Sequence, residues 1–319
     1  MPELERLELM AEVARYYYEQ NLNQAQIGKL FGISHSTVSR LLRDALEEKV
    51  IEVIIHYPFK TSPALENELL TRFRYLKGVH VLPVSIASYK EHMDKLGQFA
   101  AKLLVENLED GLTLGISLGM AVAATVKHVR IIKPMHIRVV RLQGATEGEL
   151  MEGTDLAQTL AAQMGNEAMI IPSPWVLRSA ESQNLILLEQ SVQEVIRIAE
   201  AADIGLVGIG CTECSYSTIF HNQLISESEL KTLKDIGAIG EICGKYFDRQ
   251  GNVLDIGFNH RTVSIQLECL RNYRNVIGVA GRPAKAEAII AAIRGGYIKT
   301  LVTDSETAKR ILNLTEKQI

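Results

Sequence analysis

From residue 79 to residue 312 the chain alternates short apolar, β-branched runs with longer amphipathic stretches, and few folds accommodate that pattern. The runs are 79–86, 112–116, 137–142, 168–171, 204–209, 276–280 and 298–303. Between them lie stretches of helix length at 94–108, 121–129, 156–164, 182–201, 284–294 and 305–312. Another helix opens at Ser226, where Glu229 completes the spacing of a capping box. Strands that are apolar on both faces need helices over both faces, and strand–helix–strand order makes neighbouring strands parallel. The pattern predicts a mostly parallel, doubly wound α/β domain. Ligands of such sheets sit beyond the carboxyl ends of the strands, beside helix N-termini.

The first 56 residues follow a different rule. Residues 4–20 have helical period, with Leu7, Met10, Ala11, Ala14 and Tyr17 on one face. A second helix over 24–31 turns Ile27 and Leu30 inward. Gly32 supplies the positive φ of a tight turn, and Ile33 packs beneath it. Ser34 is a good N-cap for a third helix, whose Val38, Leu41 and Leu42 face a core. That helix's other face carries His35, Ser36, Thr37, Ser39, Arg40 and Arg43, with no acid between His35 and Arg43. This is helix-turn-helix spacing. Arginine suits guanine edges and phosphates, and hydroxyls suit phosphates and bases. Ser34 and Gln24 complete the predicted DNA-facing set. An ordinary helical hairpin with a polar exterior is the competing reading. A β-branched run at 50–55 reads as a strand closing this domain. Pro58 and Pro63 mark 57–63 as a linker, with Ser62 capping a helix that runs to Leu76 and carries Leu65, Leu69 and Phe73. The predicted domains are therefore 1–56, the linker 57–63, and 64–319.

Charge constrains how such a chain meets DNA. The whole molecule carries a formal −4, and residues 1–60 hold seven basic side chains against nine acidic ones. Attraction must come from a local basic face, presented by more than one subunit. The N-terminus is acidic and amphipathic, unlike a signal peptide, and no apolar run reaches transmembrane length. A cytoplasmic protein with no membrane partner is expected, its four cysteines reduced.

Two strand–glycine–helix junctions could hold a ligand. Gly115-Ile116-Ser117-Leu118-Gly119 has the Gly-x-Ser-x-Gly form of a hydrolase nucleophile elbow. It equally suits an anion cradle, in which free amides and a serine hydroxyl face the ligand, or a plain turn. His221 and His260 lie in no recognisable catalytic motif, and no His-Gly-Gly oxyanion segment exists. At Ala280-Gly281-Arg282-Pro283-Ala284-Lys285, a lysine in the first turn opposes the helix dipole. Either a resident anion explains it or it is solvated. Cys211 and Cys214 form a CxxC without a second metal-binding pair, so no metal or other cofactor is expected. Trp175 reads as packing. Glu241, between glycines in an apolar setting, reads as a buried acceptor of sugar hydroxyls or as a helix-start acid.

Several segments together resemble one family along almost the whole chain. They are YYYEQNLNQAQIGKLFGISHSTVSRLL, DGLTLGISLGMAVAATV, VVRLQG, ADIGLVGIG, GAIGEICGKYFDRQGNVLD and VAGRPAKAEAIIAAIRGGYIKTLVTDSETAKRIL. The chain resembles the SorC-type (DeoR-like) bacterial sugar-responsive transcriptional regulators. The resemblance implies an N-terminal DNA-binding domain and an effector domain folded like sugar-phosphate isomerases but serving as a sensor. It implies operator double-stranded DNA and a phosphorylated sugar as partners, and a homotetramer. By the same resemblance Ser117, Leu118, Gly119 and Met120 form a phosphate-binding turn and Lys285 meets the phosphate from the far side. Gln143, Gly144, Thr154 and Glu241 face the sugar. Three departures stand out. Gln143 replaces the lysine that forms a Schiff base in the deoxyribose-5-phosphate-responsive branch, so binding here is expected to be noncovalent. Gly28 stands where alanine is usual, and Gly281-Arg282 replaces a glycine pair.

The sequence thus predicts a regulator of a carbohydrate-use operon whose operator affinity depends on a phosphorylated sugar or sugar alcohol. An isomerase-like enzyme and a ligand-free architectural DNA-binding protein are the rivals.

Overall fold

The computed structural model describes residues 3–51, 59–83, 88–131, 135–146 and 155–316. Two compact units are present, Met1–Pro58 and Phe59–Ile319.

In the first unit α1 (Glu3–Tyr18), α2 (Gln24–Phe31) and α3 (His35–Glu47) surround a small core of Met10, Val13, Ala14, Ile27, Val38, Leu41, Leu42 and Ala45. Asn23 caps α2 through a reciprocal box with Gln26. Gly32 ends α2 in the left-handed region, at φ 66 and ψ 29, and its amide returns to the Gly28 carbonyl. Two inward assignments are corrected. Leu30 is 55% exposed and Ala11 is exposed, whereas Val13 is fully buried. Of that pair only Ile27 reaches the core, and Val13 takes the inner face of α1. Val50 and Ile51 pack against this core, and the strand read at 50–55 otherwise lies outside the described residues.

Among the described residues the second unit has ten strands: β1 (Gly78–Leu82), β2 (Thr113–Ile116), β3 (Arg138–Arg141), β4 (Ala168–Met169), β5 (Ile204–Gly208), β6 (Gly210–Cys211), β7 (Gly240–Ile242), β8 (Lys245–Phe247), β9 (Asn275–Val279) and β10 (Thr300–Asp304). Seven form one wholly parallel sheet in the order β1-β10-β9-β5-β2-β3-β4. Successive side chains alternate between its faces. Val140, Val207 and Leu301 enter one core cluster, and Val139, Leu206 and Val302 the other. Helices cover both faces, as continuous apolar strands require. β6, β7 and β8 form a small antiparallel sheet that the sequence did not announce.

Other boundaries move. The helix read at 94–108 begins at Tyr89, capped by Ser88. The stretch 182–201 is two helices, Ala180–Ile186 and Gln190–Glu200, broken at 187–189. Ser62 makes no side-chain cap for Pro63–Arg72, where a proline already occupies the first turn. The box at Ser226 and Glu229 forms as read. No helix among the described residues is long and apolar enough to cross a membrane.

Candidate functional site

In the sheet order the chain runs outward from β2 through β3 to β4, then returns to the centre as β5 and runs outward the other way. Side by side, β2 and β5 are therefore the point where the winding reverses, the place where open α/β sheets hold ligands. Ser117 leaves β2 there. Its amide donates to the Leu206 carbonyl at 3.0 Å, and its hydroxyl, 2% exposed, accepts from the Gly208 amide at 3.0 Å. That leaves the hydroxyl proton for another acceptor. Gly119 then opens the helix Met120–His128 with no side-chain cap and no acid in the first turn. The first amides of a helix have no intrahelical partner. A Cβ on Gly119 would meet only Thr218 Oγ1, at 4.0 Å, so the space there is open. Leu118 and Met120 are half-buried against the core.

Lys285 is buried, at 7% exposure, which overturns the reading of a solvated lysine. It ends a 3-10 turn, Pro283–Lys285, before the helix Ala286–Arg294, rather than lying in that helix's first turn. Its ammonium donates to the Ile209 carbonyl at 2.9 Å. Glu241 lies on β7, not at a helix start, and pairs in register with Gly210. A Cβ at Gly210 would stand 1.9 Å from Glu241 Oε1, so only glycine fits beneath that carboxyl. Burial pushes the Glu241 carboxyl up from its ordinary pKa, opposed by the Gly244 amide 2.9 Å from Oε2 and by the charge of Lys285. Three successive residues, 208–210, thus touch Ser117, Lys285 and Glu241 in turn.

Gln143 lies just past β3, beside this turn, and is fully buried. Neither its amide nitrogen nor its amide oxygen has a hydrogen-bond partner among the described residues. Gly144 fits because a Cβ would reach within 2.5 Å of the Pro174 carbonyl oxygen. Thr154 lies outside the described residues. Arg282 has a positive φ of 85, and its amide is fixed by Asp304 Oδ2 at 2.8 Å. Burial would raise the Asp304 carboxyl, but bonds from His92, from the Thr307 hydroxyl and amide and from Arg282 hold it at about 2.

In the first unit Ser34 accepts from the Thr37 amide at 3.1 Å and lies 2.8 Å from the Ser36 and Thr37 hydroxyls. His35, Ser36, Ser39, Arg40 and Arg43 are exposed, while Thr37 and Gln24 are half-buried. Asp44 and Glu48, near the end of α3, are both held by Arg6 of α1, at 3.2 Å and 2.6 Å. Arg43 itself lies 3.7 Å from Asp44 and 3.8 Å from Glu47, so the last arginine of the basic face also has acidic partners.

Residues 57–313 match the Sugar-bind family, described as a sugar-binding domain, and residues 8–48 match Sigma-70 region 4. The chain is 34% identical to the transcriptional regulator LsrR of Enterobacter sp. (strain 638), over 96% of this chain and 93% of that protein. It is 30% identical to the sorbitol operon regulator of Klebsiella pneumoniae, over 96% and 98%. The crystal structure of full-length SorC from that organism superposes with a TM-score of 0.70, at 30% identity, covering 97% of this chain and 99% of that one. The chain belongs to the SorC-type family of sugar-binding transcriptional regulators.

In this SorC-type regulator Ser117 and the two histidines weighed with it have separate partners. Ser117 is engaged by a backbone amide, whereas His221 faces the Ser215 carbonyl and His260 faces Asp255. Cys211 is a buried free thiol that burial pushes up in pKa. Among the described residues no cluster of three or more His, Cys, Asp or Glu could hold a metal. Trp175 is 1% exposed and donates to the Cys243 carbonyl, a packing role. Sequence reasoning missed 208–210, Thr218 and the His92–Asp304 pair. Only the glycines closing an apolar strand at 208 and 210 left a local trace.

Proposed function

We propose that this regulator binds a phosphorylated sugar or sugar alcohol noncovalently, at the junction of β2 and β5, and that binding sets its operator affinity. The observation that carries the reading is the convergence of Ser117, Lys285 and Glu241 on residues 208–210. A phosphate takes the Ser117 hydroxyl and the free amides of 118–120, with Lys285 as the cation. Glu241, Gln143, Gly144 and Thr154 take the sugar. Glutamine at 143 offers no amine for a Schiff base, which supports noncovalent binding.

Gln24, Ser34, His35, Ser36, Thr37, Ser39, Arg40 and Arg43 contact DNA, with α3 in the major groove. The boundaries 1–56, 57–63 and 64–319 divide a DNA-binding part, a linker and a part serving effector binding and oligomerisation. A homotetramer places several such readers in successive grooves and compensates the low charge of each. The protein works in the cytoplasm and turns over no substrate. An effector shifts the DNA-binding equilibrium only by its differential affinity for the two states.

Lys285→Met tests the scheme. Losing a charge-assisted contact costs roughly 1.5–3 kcal/mol, about ten- to hundred-fold in affinity. Titration of inorganic phosphate and a sugar-phosphate panel against the full chain should show that loss, with operator binding in the absence of sugar retained. Equal phosphate affinity in mutant and wild type removes Lys285 from the site.

A further inference from the structure

Two residues apart at the end of β3, Arg141 and Gln143 are 6% and 0% exposed. Arg141 Nη1 ion-pairs with Asp155 Oδ2. Asp155 has little left to give, because its Oδ1 takes the Ala157 and Gln158 amides at 2.8 Å and 3.0 Å. Arg141 Nη2 and both polar atoms of the Gln143 side chain are buried without a hydrogen-bond partner among the described residues. Roughly nine in ten or more buried polar groups in folded proteins find a partner, because leaving one unmade keeps its full desolvation penalty. Three together, beside a ligand turn, call for a functional reason. Arg141 stands in register with Ile116, the residue before Ser117. Its charge also acts on the Cys243 thiol, two residues past Glu241. Burial pushes the Cys243 thiol well up in pKa, Glu241 adds to this, and Arg141 opposes it.

We infer that Arg141 and Gln143 form a clamp for an uncharged oxygen function at the end of the effector remote from its phosphate. This rests on the phosphate-binding reading above. The chemistry of the two side chains sets the ligand class. Arg141 offers N–H donors only, while Gln143 offers donors and one acceptor. Together they match a hydroxyl, or a carbonyl beside a hydroxyl. Charge excludes the alternative. Asp155 already pairs with Arg141, and Lys285 serves the phosphate. A carboxylate here would be a buried negative charge that neither Arg141, paired with Asp155, nor Lys285, serving the phosphate, is left to pair. The site therefore selects sugar phosphates ending in hydroxyl or carbonyl groups over phosphorylated sugar acids, and Arg141 is a specificity residue.

The test is calorimetric titration of the full chain with inorganic phosphate, fructose 6-phosphate, glucitol 6-phosphate and 6-phosphogluconate. At least one of the two uncharged-ended esters should bind about tenfold or more tighter than both inorganic phosphate and 6-phosphogluconate. In Arg141→Met the ratio of ester to phosphate affinity should fall about fivefold or more, with Glu241 and Gln143 still holding the sugar. Gln143→Leu should lower the same ratio while raising the melting temperature of the ligand-free protein, because it removes unpaired buried polar atoms. This second variant decides the matter if Arg141→Met does not fold. Tightest binding by 6-phosphogluconate, or an unchanged ratio in the variants, overturns the clamp. Phosphate binding without any gain from the esters also overturns it, and leaves the phosphate site standing. Absence of phosphate and ester binding alike refutes the phosphate site, and the clamp with it.

Discussion

Alanine at position 28 sets two effects of opposite sign against each other. Inside a helix, alanine gains about 1 kcal/mol over glycine. Here the added Cβ would lie 2.7 Å from the Ile33 carbonyl oxygen and 3.7 Å from the His35 amide nitrogen. Carbon and oxygen rest at about 3.3–3.6 Å even in close contacts, so the turn must retreat by more than half an ångström. That turn is poorly placed to yield. The amides of Gly32 and Ile33 both return to the Gly28 carbonyl, the latter at 2.9 Å, and the Ser34 cap follows directly. Overpacking of this kind costs roughly 1–3 kcal/mol. The clash wins, and Gly28→Ala should lose about 1 kcal/mol net. For a unit of this size that is a fall of roughly 4–8 °C in melting temperature. The single tryptophan, Trp175, lies in the second unit, so its fluorescence supplies an internal control. Urea titration of the full chain should show an earlier helical transition by far-ultraviolet circular dichroism and an unmoved tryptophan transition. Operator affinity should fall, because the turn sets the angle of α3. A variant stabilised by the full propensity gain, with operator binding intact, refutes the close approach.

Three other outcomes are expected. Arg40→Ala should weaken specific operator binding by roughly ten- to hundred-fold per reader, the value of one bidentate base contact, without changing the melting temperature; gel-shift titration against specific and scrambled DNA measures it. Asp304→Asn should flatten the acid limb of stability. The depressed carboxyl contributes about 2 kcal/mol above its ordinary 3.8, and loses this as pH falls toward about 2, a difference that denaturant titrations at several acid pH values read directly. Lys245, which donates to the Asn259 and Thr262 carbonyls, is lowered by burial from 10.5 to about 8. The folded state therefore holds fewer protons across that window. Wild-type stability should rise with pH there relative to Lys245→Met, by at most about 3 kcal/mol, and a constant difference between the two urea midpoints would contradict the burial.

The large sheet was legible because its strands are buried on both faces, so their sequences are nearly continuous apolar runs. The small sheet was not, because β6, β7 and β8 are two or three residues long and interrupted by glycine and charge. The strand-to-helix junction that carries Ser117 and Gly119 was readable from its glycines. Lys285 and Glu241 could be suspected but not placed, since a lysine bonded to the Ile209 carbonyl and one in solvent look alike in a local window. Arg141 passed unnoticed because the partner of its charge, Asp155, lies 14 positions further along the chain. Leu30 was misread for a related reason, since spacing defines a face but not how far a short helix is covered.

The strand order also sets a timetable. At the edge of the sheet β1 pairs, among the described residues, with β10 alone, residues 78–82 against 300–304. A chain emerging from the ribosome must hold β1 without its neighbour until nearly everything else has been made. Synthesis at about 5–20 residues per second puts the two strands on the order of ten to fifty seconds apart. The three-helix unit draws its core from residues 10–45 and has no such wait. Each new molecule thus carries a finished DNA reader while its sensor is still incomplete. A lone reader with more acidic than basic side chains is poorly suited to hold an operator during that interval, so half-made chains have little power to silence or trigger a gene.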